Sequence, residues 1–240
     1  MKILLIRHGD PDYEHDTLTE QGWVEAELLA RRLQSAAIDD FYLSPLGRAQ
    51  DTAGVTLKAL GRTGETLPWL REFWGGFDEP YTGKRRCPWN LMPQYWTAQE
   101  KLLHPTQWRE DGLLRTGDVA EVYDETAVGV DELLARYGLI RQGNLYTGEN
   151  NHKTIALFCH FGISMAILSH LMMISPAVLW QAFFTPTASV TTLVTEERTK
   201  GKIIFRCCGL GDASHLEGQG RVMGRSGLMR ECFEDDTIER

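Results

Sequence analysis

The chain has 240 residues, 42% hydrophobic and 24% charged, which is long enough to bury a substantial core and too apolar for disorder. Its 25 Lys and Arg stand against 33 Asp and Glu, and the net charge of −8 argues against wrapping nucleic acid or docking on an anionic membrane. Five cysteines without a Cys-x-x-Cys spacing read as reduced thiols of a cytoplasmic protein, which excludes a disulfide scaffold.

Met1-Lys2 leads directly into a short apolar run that Arg7 ends, so no signal peptide is read there. Lys2 to Ile6 has the β-rich, continuously apolar pattern of a strand buried on both faces. Thr19 is placed to cap a helix running to about Gln34, with Trp23, Ala26, Ala30 and Leu33 on its inner face. A second strand is predicted over Phe41 to Leu43. Ser44-Pro45 then reads as the cap and first residue of a helix towards Leu60.

From Trp74 to Gly117 the periodicity is weak, and prolines and tryptophans (Trp74, Trp89, Trp96, Trp108) accumulate. This segment reads as an insertion over the core and not a core layer. Asp118 and Glu121 resemble a capping box for a helix whose Val119, Val122, Val130, Leu133 and Tyr137 share a face, with Gly138 as its stop. Thr154 to Cys159 is another buried-strand pattern, followed by a helix from about Gly162 to Ile174. From Thr154 to Thr195 there is no charged residue, but Ser169, His170 and Ser175-Pro176 interrupt the run, so it reads as the centre of a soluble core. Val190 to Val194 and Ile203 to Cys208 are a final strand pair.

Strands alternating with helices predict a three-layer α/β fold, a mostly parallel sheet with helices on both faces and the Trp-rich insertion over the strand C-terminal ends. One domain over residues 1–216 is expected, with 74–117 inserted in it and 217–240 as a loosely held tail.

Ligands in such a sheet bind beyond the carboxyl ends of the strands. The first strand ends in Arg7-His8-Gly9, the second runs into a helix bearing Arg48, and the Thr154 strand ends in His160-Phe161-Gly162. If these strands are neighbours, two arginines, two histidines and a helix N-terminus converge on one anion site. Arginine forks match phosphate oxygens, and free backbone N–H groups at a helix start add donors. A neutral imidazole among them is also a nucleophile near pH 7.

Five motifs carry a resemblance. They are Leu5-Ile6-Arg7-His8-Gly9, Leu18-Thr19-Glu20-Gln21-Gly22, Tyr42 to Ala53, Leu70-Arg71-Glu72 and Leu157-Phe158-Cys159-His160. In this order they are similar to the histidine phosphatase superfamily, the phosphoglycerate-mutase-like group, over roughly residues 2 to 174. The resemblance implies a metal-independent histidine acid-type phosphatase, a phosphoric monoester hydrolase. His8 would become phosphorylated, while Arg7, Arg48 and a protonated His160 would hold the phosphoryl oxygens. Glu72 would protonate the leaving oxygen and then activate water, which requires a raised pKa. It implies no metal or organic cofactor, and as partner a small phosphorylated metabolite or other phosphomonoester.

The alternatives are a phosphoglycerate-type mutase and a phosphate-binding module without turnover. Glu14 stands where the group carries Asn, Phe161 where glycine is usual, and the acidic Asp10–Thr17 loop is short. These departures weaken the mutase reading most. Lys84-Arg85-Arg86 is a candidate contact for a second anionic group. Asp212 and His215 resemble a late Asp-x-x-His segment of relatives and are assigned no chemistry.

Overall fold

The computed structural model describes residues 1–80, 82–217 and 227. Its main elements, in chain order, are β1 (Lys2–Arg7), α1 (Glu20–Leu33), β2 (Asp40–Leu43), α2 (Gly47–Leu60), β3 (Glu65–Thr66), α3 (Val119–Ala135), β4 (Leu139–Gln142), β5 (Leu145–Gly148), β6 (Thr154–Cys159), α4 (Phe161–Met172), α5 (Pro176–Ala182), β7 (Val190–Thr199) and β8 (Lys202–Asp212). The eight strands form one sheet in the order β3-β2-β6-β1-β7-β8-β5-β4.

The α/β class holds, with helices on both faces. Successive β1 residues face opposite sides, as the pleat requires. Ile3 and Leu5 enter the core under α3, α4 and α5, whereas Leu4 and Ile6 enter the one under α1 and α2. Pairing is parallel from β3 through β2 and β6 to β1. Beyond β1 it is antiparallel, through β7, β8, β5 and β4. The parallel strands are therefore one half of the sheet, and that half bears the predicted strand ends.

α1 begins as expected: the Thr19 hydroxyl accepts from the Gly22 N–H. Trp23 does not join the core and is 42% exposed. α2 starts at Gly47, two residues later than Ser44-Pro45 suggested, because the Ser44 hydroxyl is drawn to a histidine described below. Asp118 sits at the cap of α3 without capping it. Its carboxylate accepts instead from Gly76 N–H and Arg85, tying the inserted segment to the helix start.

The short strand β3, the β4–β5 hairpin and α5 were absent from the sequence reading. Ser175-Pro176 opens α5, with proline at the first helical position, where its missing N–H costs nothing. The β4–β5 hairpin turns at Gly143, whose φ of 61° is left-handed.

α4 is buried along nearly its whole length, which explains the uncharged run. Among the described residues no helix is long and apolar enough to cross a membrane.

The inserted segment is welded to the core and is not merely laid over it. Phe77, Leu91, Leu102, Trp108 and Leu114 all lie in the α3–α4–α5 cluster. Trp108 is 1% exposed and packs edge-on against Trp180, with Tyr123 5.1 Å away. Of the expected loose tail, all but Glu217 and Gly227 lies outside the described residues.

Candidate active site

The register of three adjacent strands assembles the site. Leu43 of β2 pairs with Phe158 of β6, and Cys159 pairs with Arg7 of β1, so the strands end level. The next residues are tied across those ends: His8 N–H donates to Cys159 O at 3.1 Å and Ser44 N–H to Phe158 O at 2.9 Å. His8, Ser44 and His160 are thus neighbours, with the N-termini of α2 and α4 beside them.

His8 is 2% exposed. Its Nδ1–H donates to its neighbour's carbonyl, Gly9 O, at 2.7 Å, which leaves Nε2 with the lone pair. Burial, reinforced by Arg7, pushes its pKa down to about 3, so the ring is neutral at pH 7. Nε2 is therefore both oriented and unprotonated. The Gly9 N–H is held by the Thr52 hydroxyl, which donates to Arg48 O at 2.7 Å.

His160 is fully buried, 5.1 Å from His8 between ring centres. Burial first, then His8, Arg48 and Arg7, hold its pKa well below the ordinary value. The expectation of a protonated His160 is thereby corrected for the protein by itself. Ser44 Oγ accepts from Leu46 N–H and lies 2.7 Å from His160 Nε2, to which it can donate its hydroxyl proton. With the hydroxyl as donor, the proton of the neutral ring stands on Nδ1, a buried atom with no partner among the described residues. A neutral His160 can therefore still donate to an anion.

Arg7 and Arg48 are 6% and 9% exposed. Arg7 donates from Nη1 to Thr185 O at 2.6 Å, and Phe184 packs under its guanidinium. Burial lowers its pKa from a value so high that the charge persists. Arg48 donates from Nη1 to Asp16 Oδ1 at 2.6 Å, while its buried Nε has no hydrogen-bond partner among the described residues. Gly227 also lies close to Arg7; a Cβ built there would be 3.7 Å from Nη2.

Glu72 is half-buried beside the start of α4. Its Oε1 accepts from Phe73 N–H at 2.8 Å and Ile163 N–H at 3.1 Å. Burial raises its pKa and outweighs those hydrogen bonds and the opposing charges of Arg7 and Arg48. The adjacent Arg71 is exposed. Glu72 and Arg71 also line a cavity of about 300 Å³ together with Trp69, Trp74 and Glu125.

Trp89 lies over the same helix start, where a Cβ on Gly162 would collide with its ring and come 2.9 Å from Glu72 Oε1. Its ring meets Phe161 edge-on at 5.9 Å. Of the basic cluster, Arg85 is committed to Asp118, Arg86 is half-buried and Lys84 is exposed. Glu14 is exposed. Asp212 and His215 bond Arg32 of α1, at 2.6 and 3.1 Å, and stitch the end of β8 to that helix.

The sequence reading missed Ser44 and Thr52, the residues that hold His160 and Gly9. Both are uncharged hydroxyls on helix-start segments and carry no signal until the strands are aligned. It also missed Asp16, which was grouped with a solvated acidic loop.

The family model described as the histidine phosphatase superfamily (branch 1) matches residues 3–203. A Schizosaccharomyces pombe protein named as a probable phosphatase is 26% identical over 238 residues, which span 91% of this chain and 97% of that one. A Yersinia pestis protein named as the probable phosphoglycerate mutase GpmB is 35% identical over 81 residues, covering 30% of this chain and 38% of that one. Among solved structures, phosphoserine phosphatase from Entamoeba histolytica superposes with a TM-score of 0.61 at 19% identity, over 90% of this chain and 98% of that one. A mycobacterial glucosyl-3-phosphoglycerate phosphatase gives 0.58 at 21% identity, over 87% and 97%. These likenesses carry the fold.

Proposed function

The chain belongs to the histidine phosphatase superfamily, and on that premise we propose that it hydrolyses phosphomonoesters of small metabolites through a phosphohistidine on His8. The observation that carries this reading is the His8 ring: neutral, locked through Nδ1 and buried within the field of Arg7 and Arg48.

In the first half-reaction His8 Nε2 attacks phosphorus while the bond to the leaving oxygen breaks, and Glu72 gives that oxygen its proton. Arg7 and Arg48 balance the phosphoryl charge, with the His160 Nδ1–H as a further donor. In the second, Glu72 takes a proton from water, whose oxygen attacks phosphorus and displaces His8. Free phosphate and the starting enzyme result. The raised pKa of Glu72 suits the first role, because the carboxyl keeps its proton to higher pH than an exposed one.

The substrate class follows the named neighbours, which act on phosphoserine and on glucosyl-3-phosphoglycerate. The mutase reading is weaker: the mutase match covers 30% of the chain, whereas the matched phosphatases span most of it.

The test is a pH–rate profile on an aryl phosphate over about pH 4 to 9. With His8 already neutral, kcat/KM is expected to be highest on the acid side and to fall as Glu72 ionises. His8→Ala should lower it by at least about 10³-fold. Release of phosphate undiminished in His8→Ala would refute the reading.

A further inference from the structure

Arg48 reaches the phosphate pocket from the first turn of α2, and a long side chain there has many rotamers to choose from. One carboxylate removes that choice. Asp16 Oδ1 accepts from Arg48 Nη1 at 2.6 Å, and Oδ2 accepts from the Gly47 N–H, the first of the helix, at 2.7 Å. Asp16 bridges the arginine and the helix start, the two anion donors that this segment supplies.

The surrounding loop is built for that bridge. Asp16 has a left-handed backbone, φ 49°, which a side chain other than glycine adopts at a cost. Its carbonyl oxygen packs so closely on Gly47 that a Cβ there would collide with it. Pro11–Asp12 pairs with Thr17–Leu18, the Thr17 hydroxyl donates to Asp51 of α2, and the Tyr13 ring lies under the Arg48 guanidinium at 5.4 Å. The short acidic loop is therefore a strap across α2.

An arginine held end-on at Nη1 keeps its other edge for a ligand. In Arg48 that edge includes Nε, which is buried and has no hydrogen-bond partner among the described residues. A buried donor without a partner is costly, and phosphate oxygens are what it fits. We propose that Asp16 is a positioning residue of the phosphate pocket: it fixes Arg48 at Nη1 and so presents the Nε edge to the phosphoryl group. This rests on the hydrolase reading for its activity readout, but not for its binding readout.

The claim that Asp16 acts through Arg48 is tested by a cycle of Asp16→Ala, Arg48→Ala and the double variant. Both kcat/KM on an aryl phosphate and the vanadate dissociation constant are measured. Asp16→Ala is expected to lower kcat/KM by about 10- to 100-fold, since small misplacements of a catalytic group cost that much, and to weaken vanadate binding. In the Arg48→Ala background it should change either quantity less than about twofold.

Asp16→Asn keeps one acceptor, can hold only one of the two donors and should fall between wild type and Asp16→Ala. It also supplies the comparison if the alanine variant does not fold. Tighter vanadate binding in either Asp16 variant would overturn the proposal, because it would make Asp16 a competing charge. So would equal losses in both backgrounds, which mark a purely structural strap. If no protein of the set turns over substrate, the hydrolase reading fails, and the vanadate cycle still decides the role of Asp16.

Discussion

Arg7, His8, Arg48 and His160, the proposed phosphate end of the site, are no more than 9% exposed and sit at strand ends or in the first turn of a helix. Glu72, Trp89 and Arg86 lie between β3 and α3 on irregular chain, a single turn of 3-10 helix and a two-residue strand respectively, and each is only partly buried. Sheet register places the first group, because three level strand ends allow little freedom. Packing of an inserted segment onto α4 and α5 places the second. On the proposed reading, phosphoryl chemistry is thereby separated from the segment that would meet the rest of the substrate, and the latter can vary without disturbing the former.

The comparison breaks most visibly at Glu72, to which the proposed mechanism gives a chemical role from the irregular side. Glu72→Gln should lower kcat/KM by about 10²- to 10⁴-fold. It should also abolish the fall in rate at higher pH, since the amide cannot ionise. A variant that retains the wild-type pH dependence would remove Glu72 from the acid role.

Trp108 asks whether the inserted segment is structure or cover. It is 1% exposed within the main core, so Trp108→Ala should cost about 3–5 kcal/mol in chemical denaturation. A loss under about 0.5 kcal/mol would mean that the segment is laid on the surface.

Acid stability sharpens the phosphate end. His8 is held neutral down to about pH 3, whereas the unfolded chain protonates it near 6.5. Between those values the unfolded state binds more protons. The stabilisation is therefore fully present above 6.5 and is lost as pH falls towards 3, at about 1.4 kcal/mol per unit. Denaturation midpoints followed down that range should decline less steeply in His8→Asn; parallel declines would contradict the burial account. The smallest effect belongs to Glu14. It is exposed, so Glu14→Ala should move stability by less than about 0.5 kcal/mol, and a large gain in phosphate affinity would show that it reaches the pocket.

In the parallel half β1, β2 and β6 were readable because they are apolar runs, and Arg7, His8, Arg48 and His160 lie at or just beyond their ends, whereas the polar Glu65–Thr66 of β3 carries no such signal. Glu72 was placed only by resemblance, since nothing local distinguishes it from an exposed loop carboxylate until Phe73 and Ile163 N–H are seen to hold it. α5 was obscured because Ser175-Pro176 was read as an interruption, although the same pair starts a helix. The Asp118 capping box failed for a tertiary reason: Gly76 N–H and Arg85, distant in sequence, outcompete the helix for the carboxylate. Asp16 was hidden in a loop whose acidity reads as solvation, because its partners Gly47 and Arg48 lie some thirty residues on. Local pattern reports which face is buried; it does not report which distant donor a carboxylate will find.

The central claim is that phosphate passes through His8, and the direct measurement is to trap it there. Wild-type protein and His8→Ala are mixed with an aryl phosphate, quenched in alkali, where a phosphoryl–imidazole bond survives, and digested for peptide mass analysis. The account predicts an acid-labile phosphoryl group on the peptide containing His8 in wild type and none in the variant. Turnover by wild type with no such adduct, or the same adduct elsewhere in both proteins, would contradict it.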